Sequence, residues 1–339
     1  MISDRRYFIK KSALAALGLG LMDSSAFSTD SAVETPKGKR IGMLGLDTGH
    51  CAEFTRLING ADAGLTYNGY KVAAAYPKGT ENITEWKNKI PAITEDVKKM
   101  GVEIVNSMEE LLEKVDVVLM TCIDGNRHLE LSLPVFQAGK PLFIDKPFAA
   151  SLSDAFAIAE AAKKYKVPLF STSSLRYLDG IDNITEKIGK VTGADVYSPC
   201  PIEKHHPDLF WYGVHGVETL FAIMGAGCKS VTRTHLDKMD YVVGVWEDNR
   251  IGTFRGIREG RAGYGGTVYG ENGITHLDKF RGNKPLLVKV TEFYDSKISP
   301  VPIEETLEIV AFMAAAEESK RKGGVEIDMK ALMQNFTNL

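Results

Sequence analysis

The chain is poor in the residues that give the simplest answers about function. Its 339 residues include four cysteines, Cys51, Cys122, Cys200 and Cys228, far apart and with no C-x-x-C pair. That excludes a small disulfide-framed domain and the commoner zinc spacings, and predicts buried or half-buried thiols. Histidines are few, and none forms a known metal-ligand pattern, so no metal is expected. There is no basic excess: 41 Lys and Arg against 44 Asp and Glu leave a net charge of −3, with no basic stripe to offset it, so nucleic acid is not an expected partner. Beyond the first residues no apolar run is long enough to span a bilayer. What is present is ordinary globular composition, 44% hydrophobic and 25% charged, in a chain long enough for two domains with their own cores.

The first residues differ in kind. Asp4-Arg5-Arg6-Tyr7-Phe8-Ile9-Lys10 is followed by the apolar segment SALAALGLGLM, too short to span a membrane, and then by Ala26-Phe27-Ser28, a small-residue cleavage site. The order of parts is that of a twin-arginine export signal over 1–28, with a polar linker over 29–38 and a periplasmic or extracellular destination. The mature protein is expected to carry no membrane segment.

The most informative stretch is Leu142–Ser151, LFIDKPFAAS. A short apolar run of the kind a buried parallel strand shows ends in Asp145-Lys146-Pro147, and Pro147 stops the strand because it has no N–H to donate. In open α/β sheets that carboxyl edge is where ligands bind. Lys146 there reads as a proton donor or a clamp on a hydroxyl oxygen, or else as half of an ordinary solvated pair with Asp145. Upstream, Val115–Pro141 gives another buried strand, a loop, and a helix closed by Gly139. The run from Val115 onward resembles the end of the nucleotide-binding domain of the Gfo/Idh/MocA oxidoreductases: His128 closes the loop, Ala138-Gly139-Lys140 forms the turn, and Asp145-Lys146-Pro147 stands where the family has Glu-Lys-Pro.

The resemblance continues to the C-terminus. It implies an α/β fold: a Rossmann-like doubly wound parallel sheet over 39–150, then an α/β domain with an open, mainly antiparallel sheet over 151–339 that includes a C-terminal helix at 302–322. It also implies NAD or NADP as cofactor. The strand Lys39–Leu46 and the helix Gly49–Asn59 flank the family's G-x-G-x-x-G turn. Aligned on Gly45, this chain carries Asp47 at the second glycine and His50 at the third, with Gly49 displaced by one. Aspartate adds bulk and negative charge where phosphates approach, so capping of the helix is its expected role, with a bond to a sugar hydroxyl as the alternative; His50 at the helix start offers a compensating donor. By the resemblance, cofactor contacts fall on Gly45, Leu46, Asp47, Gly49, His50, Lys78, Cys122, His128, Asp145 and Lys146. Lys78 replaces the usual ribose-binding acid and would suit a 2′-phosphate, or is a solvated loop lysine.

In the second half, the segment from Trp211 has helical spacing, with His215 and Glu218 one turn apart. The family helix reads roughly D-x-x-x-H-x-x-D. His215 matches its histidine and Glu218 its later acid, which makes His215 and Lys146 the expected catalytic pair, while Trp211 stands where the first aspartate belongs. Arg176, Asp208, Trp211, Tyr212 and Glu218 are the expected substrate contacts, the aromatic faces suiting the C–H faces of a sugar. Strands are expected at Lys190–Tyr197, Ser230–Thr234, Tyr241–Trp246, Gly252–Ile257, Gly265–Gly270, Ile274–Leu277 and Leu286–Val290. The reading is an exported NAD(P)-dependent oxidoreductase for a carbohydrate or polyol, forming a dimer or tetramer and holding its cofactor tightly, because twin-arginine export carries folded cargo. Two alternatives stand beside it: a redox-neutral glycosidase or isomerase that uses NAD transiently, and a carbohydrate-binding relative without cofactor.

Overall fold

The structure is a computed structural model that describes residues 38–337; the segments expected to form a twin-arginine leader and a linker lie outside the described residues. Arg40–Leu44 (β1), Lys71–Tyr76 (β2), Glu103–Ile104 (β3), Val117–Met120 (β4), Leu142–Asp145 (β5) and Leu169–Thr172 (β6) form one parallel sheet in the order β3-β2-β1-β4-β5-β6. β4 and β5 are buried throughout, as strands covered by helices on both faces must be. The helices of this half are Gly49–Asn59 (α1), Thr84–Lys87 (α2), Ile90–Lys99 (α3), Met108–Lys114 (α4), His128–Gln137 (α5) and Leu152–Tyr165 (α6). α4 and α6 start where Ser107 and Ser151 accept the backbone N–H of Glu110 and Asp154. Strand order reverses between β1 and β4, which opens a crevice at their carboxyl ends. The sheet continues past residue 150, since β6 pairs with β5 from Leu142↔Leu169 to Asp145↔Thr172.

The second sheet holds Val191–Pro199 (β7), Cys228–Leu236 (β8), Met239–Trp246 (β9), Ile251–Ile257 (β10), Gly265–Gly270 (β11), Gly273–Leu277 (β12) and Ile327–Asp328 (β13), in the order β12-β11-β7-β10-β9-β8-β13. Its neighbours are antiparallel except β7 and β10. The remaining helices are Ile184–Ile188 (α7), Val214–Met224 (α8), Lys284–Ser296 (α9), Ile303–Arg321 (α10) and Met329–Thr337 (α11). β9 alternates strictly between buried and half-buried residues, so one face of the sheet is covered; there Trp246 packs against Phe221 of α8 and Phe312 of α10.

One expected strand is a helix. Leu286–Val290 lies within α9, where Leu286, Leu287, Val290, Phe293 and Tyr294 are all buried and recur at helical spacing. Two valines gave a five-residue window a strand-like look; the thirteen-residue stretch has a single apolar stripe. α9 returns to the first sheet, where its buried residues join Ile41, Met43, Phe143 and Phe170 in one core and Tyr294 Oη donates to the Val118 carbonyl at 2.8 Å.

Candidate active site

A cleft of about 790 Å³ lies between the start of α1, residues 82–86, the ends of β4 and β5, the 201–205 loop and the start of α8. β5 delivers Lys146, 8% exposed, whose ammonium makes no hydrogen bond or ion pair among the described residues and stands 5.9 Å from the Tyr212 ring centroid. Burial lowers its pKa, and the nearby carboxylates of Asp145 and Asp47 oppose that shift. The first turn of α1 brings His50 to the same corner. Its Nδ1 lies 2.6 Å from Asp145 Oδ2, and its ring stacks on Phe54 at 4.8 Å. Asp145 is 2% exposed; burial would push its pKa up, but His50 and Lys146 outweigh it and hold the carboxyl below its ordinary range. The other carboxylate oxygen, Oδ1, has no partner among the described residues.

α8 brings His215 opposite. It is buried, and desolvation, reinforced by the positive charges of Lys146 and His50, puts its pKa well below the histidine norm, so it is neutral at pH 7. Its Nδ1 sits 2.7 Å from Ser173 Oγ. That oxygen also accepts the Leu175 N–H and has a second lone pair, so either the hydroxyl or the ring donates along the contact with Nδ1, and Nε2 is the ring nitrogen left for a ligand. Tyr212 packs edge-on against His215 at 4.7 Å, and its hydroxyl pairs with that of Tyr264 at 2.8 Å.

Trp211 and Tyr212 lie on a turn of π-helix, Leu209–Gly213, ahead of α8. Such turns insert a residue into helical register and recur at functional sites. An α-helical count back from His215 therefore misplaces Asp208. Trp211 and Tyr212 do line the cleft, with Trp211 packed against Trp86 and His206 at 6.4 and 5.0 Å.

Other expected contacts lie elsewhere. Asp208 is bound by Arg233 (2.6 Å) and Lys320 in a buried ion cluster under the second sheet. Arg176 and Glu218 pair with each other at 2.7 Å, and Arg176 also with Glu305, because a buried charge must be met by a partner. His128, fully buried, has its two ring nitrogens 2.8 and 3.2 Å from the Cys122 and Phe148 carbonyls, and its neutral ring donates to one of them, packed between the β4 and β5 loops. Cys122 and Leu46 are buried and do not line the cleft, and Lys78 is exposed outside it.

Asp47 does not cap α1. Thr48 does, in extended backbone, accepting the His50 N–H. Asp47 is fully buried; its carboxylate accepts the N–H groups of Thr80 (2.6 Å) and Ile123 (2.9 Å), binding the loop after β2 to the loop after β4. Burial pushes its pKa up, and these two N–H groups pull against that. The space above the helix start stays open. A Cβ added at Gly49 would meet nothing within 4 Å, whereas Gly45, at φ +85°, could not take one, since it would lie 2.7 Å from the Cys122 backbone. A tight turn leading to an open helix N-terminus fits a phosphate-bearing cofactor, which Thr48, Gly49 and His50 would hold; the second glycine is the missing part.

The family model for oxidoreductases with an NAD-binding Rossmann fold, Gfo/Idh/MocA, matches residues 40–173. A curated relative from Streptococcus pneumoniae serotype 4, named only as an uncharacterized oxidoreductase, is 24% identical over 154 residues, which are 40% of this chain and 42% of that protein. The match thus spans less than half of the relative's length. Two solved structures share the fold across 86% of this chain and 99% of theirs, each at 15% identity: an oxidoreductase of Thermotoga maritima (TM-score 0.69) and the scyllo-inositol dehydrogenase of Lactobacillus casei with bound NAD(H) and scyllo-inositol (TM-score 0.67). Residues 40–173, from β1 past the Lys146 strand to Ser173 beneath His215, are thus similar to the NAD-binding Rossmann domain of the Gfo/Idh/MocA oxidoreductases.

Proposed function

We propose that this protein is an exported NAD(P)-dependent oxidoreductase that acts on a CH–OH carbon of a carbohydrate or polyol and keeps its cofactor bound. The observation that carries this reading is the unpaired Lys146 ammonium facing the neutral His215 across one aromatic-walled cleft. When bound, a nicotinamide exchanges a hydride with the carbinol carbon. The side chains do the rest. Lys146 stabilises charge growing on the substrate oxygen, His215 exchanges a proton with a substrate hydroxyl as general acid/base, and Trp211 and Tyr212 offer flat faces to C–H groups. The polyol class is supported by the scyllo-inositol dehydrogenase fold, and export by the Arg5-Arg6 leader. A homo-oligomer belongs to the same reading, because the uncovered face of β9 leaves Met239, Tyr241, Val243 and Val245 only half buried.

A second reading, a carbohydrate-binding relative without cofactor, is favoured by Asp47 alone: two N–H groups that flank the phosphate loop are already taken by this carboxylate. Mass analysis of the small molecules released on denaturing the purified protein separates the two. NAD or NADP in the extract supports the oxidoreductase; its absence, together with no binding of added nucleotide, supports the second reading. Lys146→Met should lower kcat on a responsive polyol by about 10²- to 10⁴-fold with little change in melting temperature. Undiminished turnover in that variant would remove Lys146 from the mechanism.

A further inference from the structure

We infer that the substrate carries a second sugar ring beyond the reacting one, and that Trp86 is the surface on which this second ring lies. The inference rests on the carbohydrate reading above. Trp211 and Tyr212 are consecutive and both line the cleft, but they serve different parts of it. Tyr212 stands at the reacting end, 4.7 Å from the His215 ring and with Lys146 Nζ 5.9 Å from its own centroid. Trp211 belongs to the other end, where it forms a small apolar cluster with Ile83 and Ile123 and Trp86 packs against all three. Tyr212 touches this cluster too, so the two ends are continuous.

Trp86 comes from α2 and Trp211 from the π-turn before α8, one from each lobe. Their rings meet nearly edge-on at 62° with centroids 6.4 Å apart, so they enclose a corner and do not cover each other's faces. Each ring is held from behind. Lys89 Nζ, bonded to Glu85, sits 3.6 Å from the Trp86 centroid and takes one face of that indole. The His206 ring packs on Trp211 at 5.0 Å, and its Nε2 accepts the Gly125 N–H at 3.1 Å. The segment that carries Trp86 is fixed as well: Thr80 Oγ1 donates to Asp124 and accepts the Ile83 N–H, while the Thr80 N–H goes to Asp47. The aspartate at the second-glycine position therefore anchors a wall of the substrate cleft.

This corner offers different chemistry from the reacting end. Its carboxylates are committed, Glu85 to Lys89 and Glu203 to His205 and His206. What remains is two indoles, two isoleucines and, at the rim, the exposed polar side chains of Asn82, Thr84 and Lys204. A pyranose ring has the same division, with C–H groups on its faces and hydroxyls round its edge. The ring being oxidised is engaged by Tyr212, Lys146 and His215. Trp86 lies one side chain further along, beyond Trp211, so the ring on it is a neighbour joined through a glycosidic oxygen. The substrate class is thus a disaccharide or longer, oxidised at a carbinol of one ring while the second is held and no bond of it breaks.

Tryptophan fluorescence reads this corner directly, because the chain has three tryptophans and the third, Trp246, is buried between Phe221 and Phe312 outside the cleft. The full-length protein is titrated with a panel of disaccharides, with the monosaccharides they contain and with phenyl glycosides of those monosaccharides. At least one disaccharide should quench the emission and bind about tenfold tighter than its monosaccharide. Trp86→Ala should cut that ratio to about twofold or less, and Trp86→Phe, which keeps a flat ring and the packing of α2, should cut it to about threefold. Calorimetry gives the same ratio for variants that lose a fluorophore. A ratio unchanged in both variants overturns the inference, as does a panel in which no disaccharide outbinds its monosaccharide. Tighter binding confined to the phenyl glycosides also overturns it, because the occupant is then not a sugar. Turnover separates the two readings. If monosaccharides and disaccharides are oxidised with equal kcat/KM, and Trp86→Ala lowers both alike, the second ring falls and the oxidoreductase stands. If no sugar is oxidised but the binding ratio and its dependence on Trp86 hold, the oxidoreductase falls and the second-ring site stands.

Discussion

Two ionic clusters in this protein use the same residue types in opposite ways. Around Arg233 every charge is met: Nε bonds to Asp240, Nη1 to Glu317 and Nη2 to Asp208, while Asp240 also takes Arg258 and His235, and Asp208 takes Lys320. In the corner of His50, Asp145 and Lys146, one carboxylate oxygen and the ammonium have no partner among the described residues. A complete network fixes a fold, because each buried group has its bonds. An incomplete one, equally buried, costs stability unless something else completes it, and in an open cleft that is a ligand.

The difference is breakable by substitution. Arg233→Met leaves Asp208, Asp240 and Glu317 short of a shared cation and should cost about 3–5 kcal/mol in urea unfolding. Lys146→Met strands no bonded partner and should cost far less, or stabilise. Equal losses at the two sites would erase the distinction. Asp47 belongs with the complete group despite its place in the phosphate loop. Asp47→Ala leaves the Thr80 and Ile123 N–H groups unpaired and should cost about 2 kcal/mol, which the same unfolding measurement detects.

A graded effect is the dependence on pH. Burial lowers the pKa of His128, His206 and His215, so the unfolded chain takes up protons near pH 6.5 that the folded chain refuses. Their contribution is fully present above about pH 6.5 and is lost as pH falls, at about 1.4 kcal/mol per pH unit for each histidine that differs between the states. His215→Phe should flatten the curve by one histidine's share. Below about pH 4 the sign is the same for Asp208 and Asp240. Burial alone would raise their pKa, but hydrogen bonds from Lys320 and Arg233 to the first, and from Arg258 and Arg233 to the second, hold both low, so that stability too is lost in acid.

The parallel sheet was readable from short runs such as VVLM and LFID, because strands buried on both faces are apolar without alternation. Lys146 and His215 were readable through family spacing. What escaped depended on contacts between distant residues. Nothing local says that His50 meets Asp145, 95 residues on, or that Arg176 neutralises Glu218. The clue available for His50 was a histidine in the first turn of the helix that follows the first strand, where the switch point faces the ligand. Asp47 was misread as a cap because the next residue, Thr48, is as good a cap and has the extended backbone that capping requires. The π-turn at Leu209–Gly213 was not readable either, because helical spacing does not show an inserted residue.

α9 has a mechanical consequence. Because it leaves β12 to pack on the first sheet and α10 then joins the second, the backbone passes between the lobes three times, at 173–190, 278–283 and 297–302. One proteolytic nick in any of these connectors leaves both lobes tethered by the other two. A fragment ending at residue 173 would carry the whole first sheet with the apolar stripe of α9 stripped from one face, so it should aggregate, and adding 284–296 back would restore that face while α6 still lacked α10 and Phe336.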